Sequence, residues 1–165
     1  MNKKTLKIIG TICAFIYAFL IYYLYDKFPN FLTSIFSPVN NSVFQYLKVL
    51  FGSIILAGVT QKIIVTIKKD KINNICISNF VGALTSISIF IILFLISHYT
   101  NIQNNAITIL ITAICIIIAE IISYILMNKR EFKYENKTII FVIIVYIVFI
   151  LLTYFPLKNL LFIAN

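Results

Sequence analysis

The chain alternates between long, nearly unbroken apolar runs and short polar segments that carry most of its charge. The apolar runs cover residues 8–25, 47–67, 75–96, 106–127 and 138–155. About 20 apolar residues in helical form cross the roughly 30 Å core of a bilayer. Strands of a membrane barrel alternate between apolar and polar residues, whereas residues 139–152 are apolar without a break. The pattern therefore predicts an all-α membrane bundle of five transmembrane helices, forming a single domain over residues 1–165.

The composition excludes a soluble or a disordered chain. Hydrophobic residues make up 61% of the sequence and charged residues 12%, against roughly 45–50% and 25% in soluble domains. A soluble domain of this length keeps about a third of its unfolded surface in water, and the polar residues here are too few to cover it. Disorder requires low hydrophobicity, which the sequence does not have.

Lysine and arginine collect in alternate polar segments, and this sets the predicted orientation. An excess of these residues marks cytoplasmic loops. With the N-terminus inside, the cytoplasmic side holds eleven of the fourteen basic residues: Lys3, Lys4, Lys7, Lys62, Lys68, Lys69, Lys71, Lys129, Arg130, Lys133 and Lys137. The other side holds Lys27, Lys48 and Lys158. We therefore predict a cytoplasmic N-terminus and an outside C-terminus in a multi-pass protein of the cell membrane.

In this topology most of the net charge of +9 lies on the cytoplasmic side. Basic clusters beside the inner surface contact anionic lipid headgroups, so we expect the bilayer, and no nucleic acid, as their partner. The first run is longer than the core of a secretory signal and ends in tyrosines rather than small residues, so we expect it to be an uncleaved span.

Small or mildly polar residues recur every three or four positions on each of the first four runs; those of the second run are Ser53, Ala57 and Gln61, and those of the fourth are Thr108, Thr112, Cys115, Ala119 and Ser123. Such residues allow close backbone approach between membrane helices. The predicted helix-packing faces are those of Gly10, Ala14 and Ala18 in the first run and of Ser78, Gly82 and Ser86 in the third. Packing inside the bundle is the simpler interpretation, and docking of a partner membrane subunit on the Gly10 face is the alternative. The fifth run has no such face, so we place it at the edge of the bundle.

Glu120 is the one acidic residue well inside a predicted span. A charge in the membrane is costly and is a functional hypothesis by default. Glu120 lies roughly 10 Å from the inner end of the fourth run, and Lys62 lies roughly 8 Å from the inner end of the second. We therefore predict an intramembrane pair of Glu120 with Lys62, or with Gln61 if Lys62 extends to the surface. The pair either holds the second and fourth helices together or forms part of a proton or cation relay.

The segment before the second run has the pattern of a helix start. Ser42 and Gln45 have the spacing of a capping box, in which each side chain bonds a free backbone N–H. Pro38 and Asn40 suit the preceding turn, and Lys48 follows Gln45 on a face that also includes Asn41. This face could line a polar outer vestibule. The preceding residues 26–41 contain aromatic residues at near-helical spacing, which fits either a short interfacial helix or an anchored loop.

The same segment resembles a family signature. Pro38-Val39-Asn40-x-Ser42-Val43-x-x-x-Leu47-Lys48 is similar to the block Pro-Val-Asn-Glu-Ser-Val-Trp-Glu-His-Leu-Lys of a group of small bacterial multispanning proteins of unknown function. The tail from Tyr154 to Phe162 resembles the aromatic-proline tail of that group. This chain has Asn41, Gln45 and Tyr46 where the group has acid, acid and histidine, and the resemblance implies no activity.

Other chemistry is sparse. His98 has no acidic residue or cysteine near it in sequence, and Cys13, Cys76 and Cys115 fall in separate runs, so we predict free thiols and expect no metal, cofactor or catalytic residue. Two classes of function remain open. One is a non-enzymatic membrane protein that acts through helix or partner contacts. The alternative is a small-solute transporter, or the substrate-binding subunit of a vitamin-type importer.

Overall fold

The computed structural model describes residues 2–40, 42–100, 104–132 and 135–157. Helices account for most of these ranges. They are α1 (Lys3–Lys27), α2 (Phe31–Phe36), α3 (Val43–Ile67), α4 (Ile75–Tyr99), α5 (Asn105–Met127) and α6 (Thr138–Tyr154), and a 3-10 turn, Glu135–Lys137, precedes α6. The predicted all-α class is confirmed.

Four helices, α1, α3, α4 and α5, are long and apolar enough to cross a bilayer. The helix α6 is also apolar but has 17 residues, fewer than the roughly 20 that a span normally needs. The short helix α2 lies in the predicted interfacial segment between the first two apolar runs. The chain is therefore a membrane-embedded helical protein, and the residues that the structure describes include four helices of spanning length.

Asparagine side chains begin three of the helices. Each accepts a hydrogen bond from a backbone N–H of the first turn: Asn2 from Lys4, Asn30 from Thr33 and Asn104 from Ile107. The free N–H groups of a helix start need such acceptors. Each of these three helices therefore begins directly after a polar residue that satisfies one of its free N–H groups.

The helix α3 lies at the centre of the bundle. It packs against α1 on one side and α4 on the other, and α4 also packs closely against α5. The core contains Leu50, Phe51, Ile54 and Phe90, all fully buried. Most of the large side chains of α6, such as Ile139, point out of the bundle, in agreement with the predicted edge position.

Two loops at the end of the bundle where α1 begins are joined by Asn74, which has a left-handed backbone conformation with φ 64°. This end of the bundle is called the inner end below, and the opposite end is called the outer end. Its side-chain nitrogen donates to the carbonyl oxygens of Lys129 and Arg130 at 3.2 and 3.0 Å, and its side-chain oxygen accepts from the backbone N–H of Phe132 at 2.8 Å. The loop between α3 and α4 is thereby tied to the loop after α5, and both lie at the same end of the bundle.

Glu135 supplies the cap of α4 from the second of these loops. One carboxylate oxygen accepts from the backbone N–H of Cys76 at 2.9 Å and the other from that of Ile77 at 3.0 Å. A carboxylate is favoured at a helix N-terminus because it satisfies free N–H groups and faces the positive end of the helix dipole.

Replacement of Glu135 by alanine is expected to lower the free energy of unfolding by about 1–2 kcal/mol, since two charge-assisted hydrogen bonds are lost. Hydrogen exchange measured by mass spectrometry should accelerate at the start of α4. The control is Glu131→Ala in the same loop, because Glu131 is exposed. Equal acceleration in both variants would contradict the capping role.

Candidate functional site

The ammonium group of Lys7 lies at the centre of a buried polar cluster. The side chain of Lys7 projects from the second turn of α1 and is 5% exposed. Its Nζ lies 3.0 Å from Glu120 Oε2, 3.0 Å from Asn79 Oδ1 and 3.2 Å from Gln61 Oε1, and it also donates to Ser123 Oγ. These five residues, from α1, α3, α4 and α5, are called the Lys7–Glu120 cluster below.

The two amides of the cluster are oriented by further hydrogen bonds. The nitrogen of Asn79 donates to Gln61 Oε1 at 2.9 Å and to the carbonyl oxygen of Ile75 at 2.7 Å. The nitrogen of Gln61 faces the carbonyl oxygen of Leu6 at 3.5 Å. Because both nitrogens are directed at carbonyl oxygens, both amide oxygens point towards the Lys7 ammonium.

Two glycines provide the space that these amides occupy. A Cβ atom at Gly10 would lie 1.6 Å from the side-chain nitrogen of Gln61, and a Cβ atom at Gly58 would lie 2.8 Å from the Cβ of Asn79. Any larger residue at either position would push an amide out of the cluster. Gly10 and Gly58 therefore belong to the architecture of the site although they carry no polar side chain.

The predicted pair of Glu120 with Lys62 is wrong, because Lys7 holds the carboxylate. Glu120 forms its ion pair with Lys7, whose side chain is as buried as its own. Lys62 is exposed and lies on the pocket between the inner loops. Successive residues on a helix are rotated by about 100°, so Gln61 faces the cluster while Lys62 faces outward. The alternative partner Gln61 lies in the cluster and bonds the same ammonium.

The sequence pattern does not predict Lys7 as part of the site, because Lys7 precedes the first apolar run and is counted with the cytoplasmic charges. The helix α1 begins at Lys3, so Lys7 already lies within the helix. The signal that could have identified it is its spacing from Gly10 and Ala14. Residues three and seven positions apart share a helix face, and all three residues are buried.

Glu120 has one oxygen that is unused. The residue is 3% exposed, and while Oε2 pairs with Lys7, Oε1 is buried without a hydrogen-bond partner among the described residues. Buried acceptors are nearly always bonded. Gln61 Oε1 and Asn79 Oδ1 have second donors in the Asn79 nitrogen and Ser123 Oγ, so Glu120 Oε1 is the acceptor of the cluster that has no donor among the described residues.

A polar pocket of about 420 Å³ lies between the inner loops. It is lined by Lys62, Ile72, Asn73, Asn74, Glu131, Phe132 and Glu135. Asn74, which lines the pocket, directly precedes α4. Asn79 of the cluster lies five residues later, roughly 8 Å along the helix, and its side chain bonds the carbonyl oxygen of Ile75 in the first turn. The pocket and the Lys7–Glu120 cluster are therefore neighbours at the inner end of the bundle.

The outer helix start is differently built from the predicted capping box. The helix begins at Val43 after Ser42, but the side chain of Ser42 makes no capping hydrogen bond, so the capping box is wrong. Asn40 instead accepts from the backbone N–H of Ser42 at 3.0 Å, and Gln45 accepts from that of Val39 at 3.4 Å. A capping box would join the Ser42 N–H to the Gln45 side chain, but here the Ser42 N–H bonds Asn40 and the Gln45 side chain bonds Val39.

Of the other residues in this motif, Pro38 and Gln45 are buried, and Asn41 lies outside the described residues. The Lys48 side chain is fully buried as well. Its ammonium donates to the carbonyl oxygen of Ser34 in α2 at 2.7 Å and to Thr153 Oγ1 in α6 at 3.3 Å. Lys48 therefore joins α2 and α6 to α3, and a helix C-terminal carbonyl is a favourable partner for a cation.

Replacement of Lys48 by methionine is expected to loosen α2. A hydrogen bond to a charged group contributes about 1.5–3 kcal/mol, so local opening of α2 should become roughly tenfold more frequent or more. The measurement is maleimide labelling of a cysteine at Ser37, which is fully buried next to α2. Lys27→Met is the matched control, because Lys27 is exposed. Unchanged labelling in Lys48→Met would contradict the role of Lys48 in holding α2 against α3.

The predicted packing faces lie inside the bundle. Gly10 and Ala14 are buried, Gly10 against Gln61 of α3, and Ala18 is partly buried. Ser78, Gly82 and Ser86 are buried, with Gly82 against the backbone of Ala119 in α5. The Gly10 face is therefore occupied by α3, and a partner subunit that docked there would have to displace this helix.

The remaining candidates are His98 and the three cysteines. His98 stacks on Phe94 with ring centroids 6.2 Å apart. Cys13, Cys76 and Cys115 are free thiols, as predicted. Within the described ranges, no group of three or more His, Cys, Asp or Glu side chains is arranged to hold a metal ion.

No protein family model, no curated protein and no solved structure matches this chain. The function must therefore be inferred from the Lys7–Glu120 cluster and the helices that it joins.

Proposed function

We propose that the chain is a multi-pass protein of the cell membrane with five spans, a cytoplasmic N-terminus and an outside C-terminus. The fifth span is α6, whose 17 residues extend roughly 25 Å. A bilayer adapts to a somewhat short span at modest cost. The distribution of basic residues supports the orientation, and the resemblance of the segment Pro38 to Lys48 to a bacterial multispanning group supports the cell membrane.

Cysteine labelling in intact cells tests this topology. A cysteine-free chain carries a single cysteine at Lys71 in the inner loop, at Tyr99, the last residue of α4, or at Phe155 after α6. Tyr99 and Phe155 are 80% and 74% exposed. We expect a membrane-impermeant maleimide to label the last two positions and to spare Lys71. Labelling of Lys71 with protection of Phe155 would contradict the proposed orientation.

We also propose that the protein acts through helix contacts, its own and those of a partner membrane subunit, rather than by catalysis. One observation carries this function: the Lys7 ammonium is bound by side chains from three other helices. Inside a bilayer, polar contacts of this kind hold helices together. The buried charges thus fix the relative positions of α1, α3, α4 and α5. These positions determine the shape of the surface that a partner would contact.

Native mass spectrometry after purification in mild detergent tests the contact function. We expect a complex with a second membrane protein that is lost in Lys7→Met and retained in Lys62→Met, the matched control with an exposed lysine. The Lys7→Met chain must remain in the membrane at normal abundance for the comparison to count. A chain that is isolated alone from every membrane preparation and turns over a substrate would contradict the proposal.

A second function, transport of a small solute, is favoured by the spare oxygen of Glu120 and by the neighbouring pocket at the inner loops. Intramembrane carboxylates often lie on ion or proton pathways. Flux of a solute or of protons into proteoliposomes that contain the purified chain alone, abolished by Glu120→Gln, would establish this function in place of the contact function.

A further inference from the structure

The Lys7–Glu120 cluster contains an oxygen cage in which Gln61, Asn79 and Ser123 are joined by hydrogen bonds of their own. The cage oxygens are Gln61 Oε1, Asn79 Oδ1, Glu120 Oε2 and Ser123 Oγ, which come from α3, α4 and α5. All four surround one point, which the Lys7 ammonium occupies. The lysine side chain enters this cage from α1.

Lys7 cannot donate to all four cage oxygens at once, and two of them, Gln61 Oε1 and Asn79 Oδ1, also accept from Asn79 Nδ2 and Ser123 Oγ. A primary ammonium has three N–H donors, yet four oxygens lie within hydrogen-bond reach of Lys7 Nζ. A fifth oxygen, Glu120 Oε1, is buried and without a partner among the described residues. Free ammonium, with four donors, or a spherical cation such as K⁺ can contact all four cage oxygens at once.

The charge of the cage selects a monovalent cation. Glu120 is its one formal charge, so a single positive charge makes the buried site neutral, as the Lys7 ammonium does now. A divalent cation would leave an excess charge in a region where an unpaired charge costs several kcal/mol. Amide, hydroxyl and carboxylate oxygens are also the ligands that hard cations prefer.

We infer that the cage is a binding site for an ammonium-sized monovalent cation, and that Lys7 occupies it as a competing, tethered ammonium. When a free cation binds, Lys7 withdraws to the inner surface, which its long side chain can reach from the second turn of α1. Lys3, one turn earlier, already bonds the carbonyl oxygen of Met127 at the inner end of α5. Cation binding therefore releases the strongest polar tie between α1 and the other helices. The inference is independent of both proposed functions, because it concerns contacts within this chain.

The first test empties the cage with Lys7→Ala and measures the melting temperature of the purified chain in three chlorides at equal concentration. Ammonium chloride and potassium chloride should raise the melting temperature by about 4 °C or more relative to tetramethylammonium chloride. Tetramethylammonium has the same charge but has no N–H donor and is too large for the cage. The matched control is Lys7→Ala with Glu120→Gln, in which the difference should vanish. Equal melting temperatures in the three salts would overturn the inference.

The second test uses the unaltered chain, so it decides the matter even if Lys7→Ala cannot be purified. Modification of Lys7 by an amine-reactive reagent is quantified by peptide mass spectrometry, with the exposed Lys62 as internal reference. Labelling of Lys7 should rise several-fold in potassium chloride relative to tetramethylammonium chloride, while that of Lys62 stays constant. Equal labelling of Lys7 in the two salts would show that no free cation displaces it and would overturn the competition.

Discussion

Replacement of Lys7 by methionine is expected to lower the free energy of unfolding of the bundle by about 3–5 kcal/mol in potassium-free buffer. Removing one partner of a buried ion pair leaves an uncompensated charge, and losses of this size are typical. The Glu120 carboxylate cannot escape, because its short side chain starts roughly 10 Å from the inner end of α5. Denaturant titration in bicelles, followed by circular dichroism, measures the loss.

Replacement of Glu120 should cost less stability than replacement of Lys7. Glu120→Gln leaves Lys7 with neutral oxygen acceptors and with a side chain long enough to reach the inner surface, so its expected cost is smaller, about 1–3 kcal/mol. The double variant should be more stable than the sum of the two losses predicts, which a double-mutant cycle measures. Lys62→Met should change stability by less than about 0.5 kcal/mol. A loss in Lys62→Met equal to that in Lys7→Met would refute the assignment of Lys7 as the partner.

Replacement of Gly82 by leucine is expected to separate α4 from α5, with a loss of about 3 kcal/mol or more. Even a Cβ atom at this position would lie 2.7 Å from the backbone oxygen of Ala119, and a backbone atom cannot move aside without moving its helix. Over-packing of a well-packed interface costs about 1–3 kcal/mol for a modest insertion, and leucine inserts more. Since Glu120 follows Ala119 directly, the inserted leucine side chain should also disturb the ion pair of Glu120 with Lys7.

The graded variants Gly82→Ala and Gly52→Ala provide the comparison for this prediction. A Cβ atom at Gly52 would meet the hydroxyl of Tyr146 at 3.1 Å and a terminal methyl group of Ile21 at 3.2 Å, both at the ends of side chains. We expect Gly52→Ala to change stability by less than about 1 kcal/mol, because alanine also has the higher helix propensity. Gly82→Ala as mild as Gly52→Ala would mean that α4 and α5 are not in close contact at this point.

The apolar runs predict the helices closely because hydrophobic length is the dominant constraint in a membrane. The third and fourth runs begin or end where α4 and α5 do, at Ile75 and Met127. The first run is less accurate, since α1 extends five residues before it, to Lys3. This extension matters, because it includes Lys7. A lysine can lie in a helix near the interface and still be absent from any apolar window.

The depth of the site was predictable from the sequence, and the rotation of each helix was not. Counting residues from the inner ends placed Glu120 and Gln61 at similar depth, and both are in the cluster. The same count placed Lys62 there, although its side chain points away. Depth along a helix follows from the rise per residue, whereas the direction of a side chain depends on which neighbours its helix packs against. The capping box failed for a related reason, because Asn40 and Val39 engage the groups of Ser42 and Gln45.

The central claim is that the buried carboxylate of Glu120 pairs with Lys7. The most direct test is a solid-state NMR distance measurement in lipid bilayers, with ¹⁵N at lysine Nζ and ¹³C at the glutamate carboxylates. The structure gives 3.0 Å between Lys7 Nζ and Glu120 Oε2, so we expect one strong dipolar coupling that is lost in Lys7→Met and retained in Lys62→Met. A coupling that survives Lys7→Met and disappears in Lys62→Met would contradict this account.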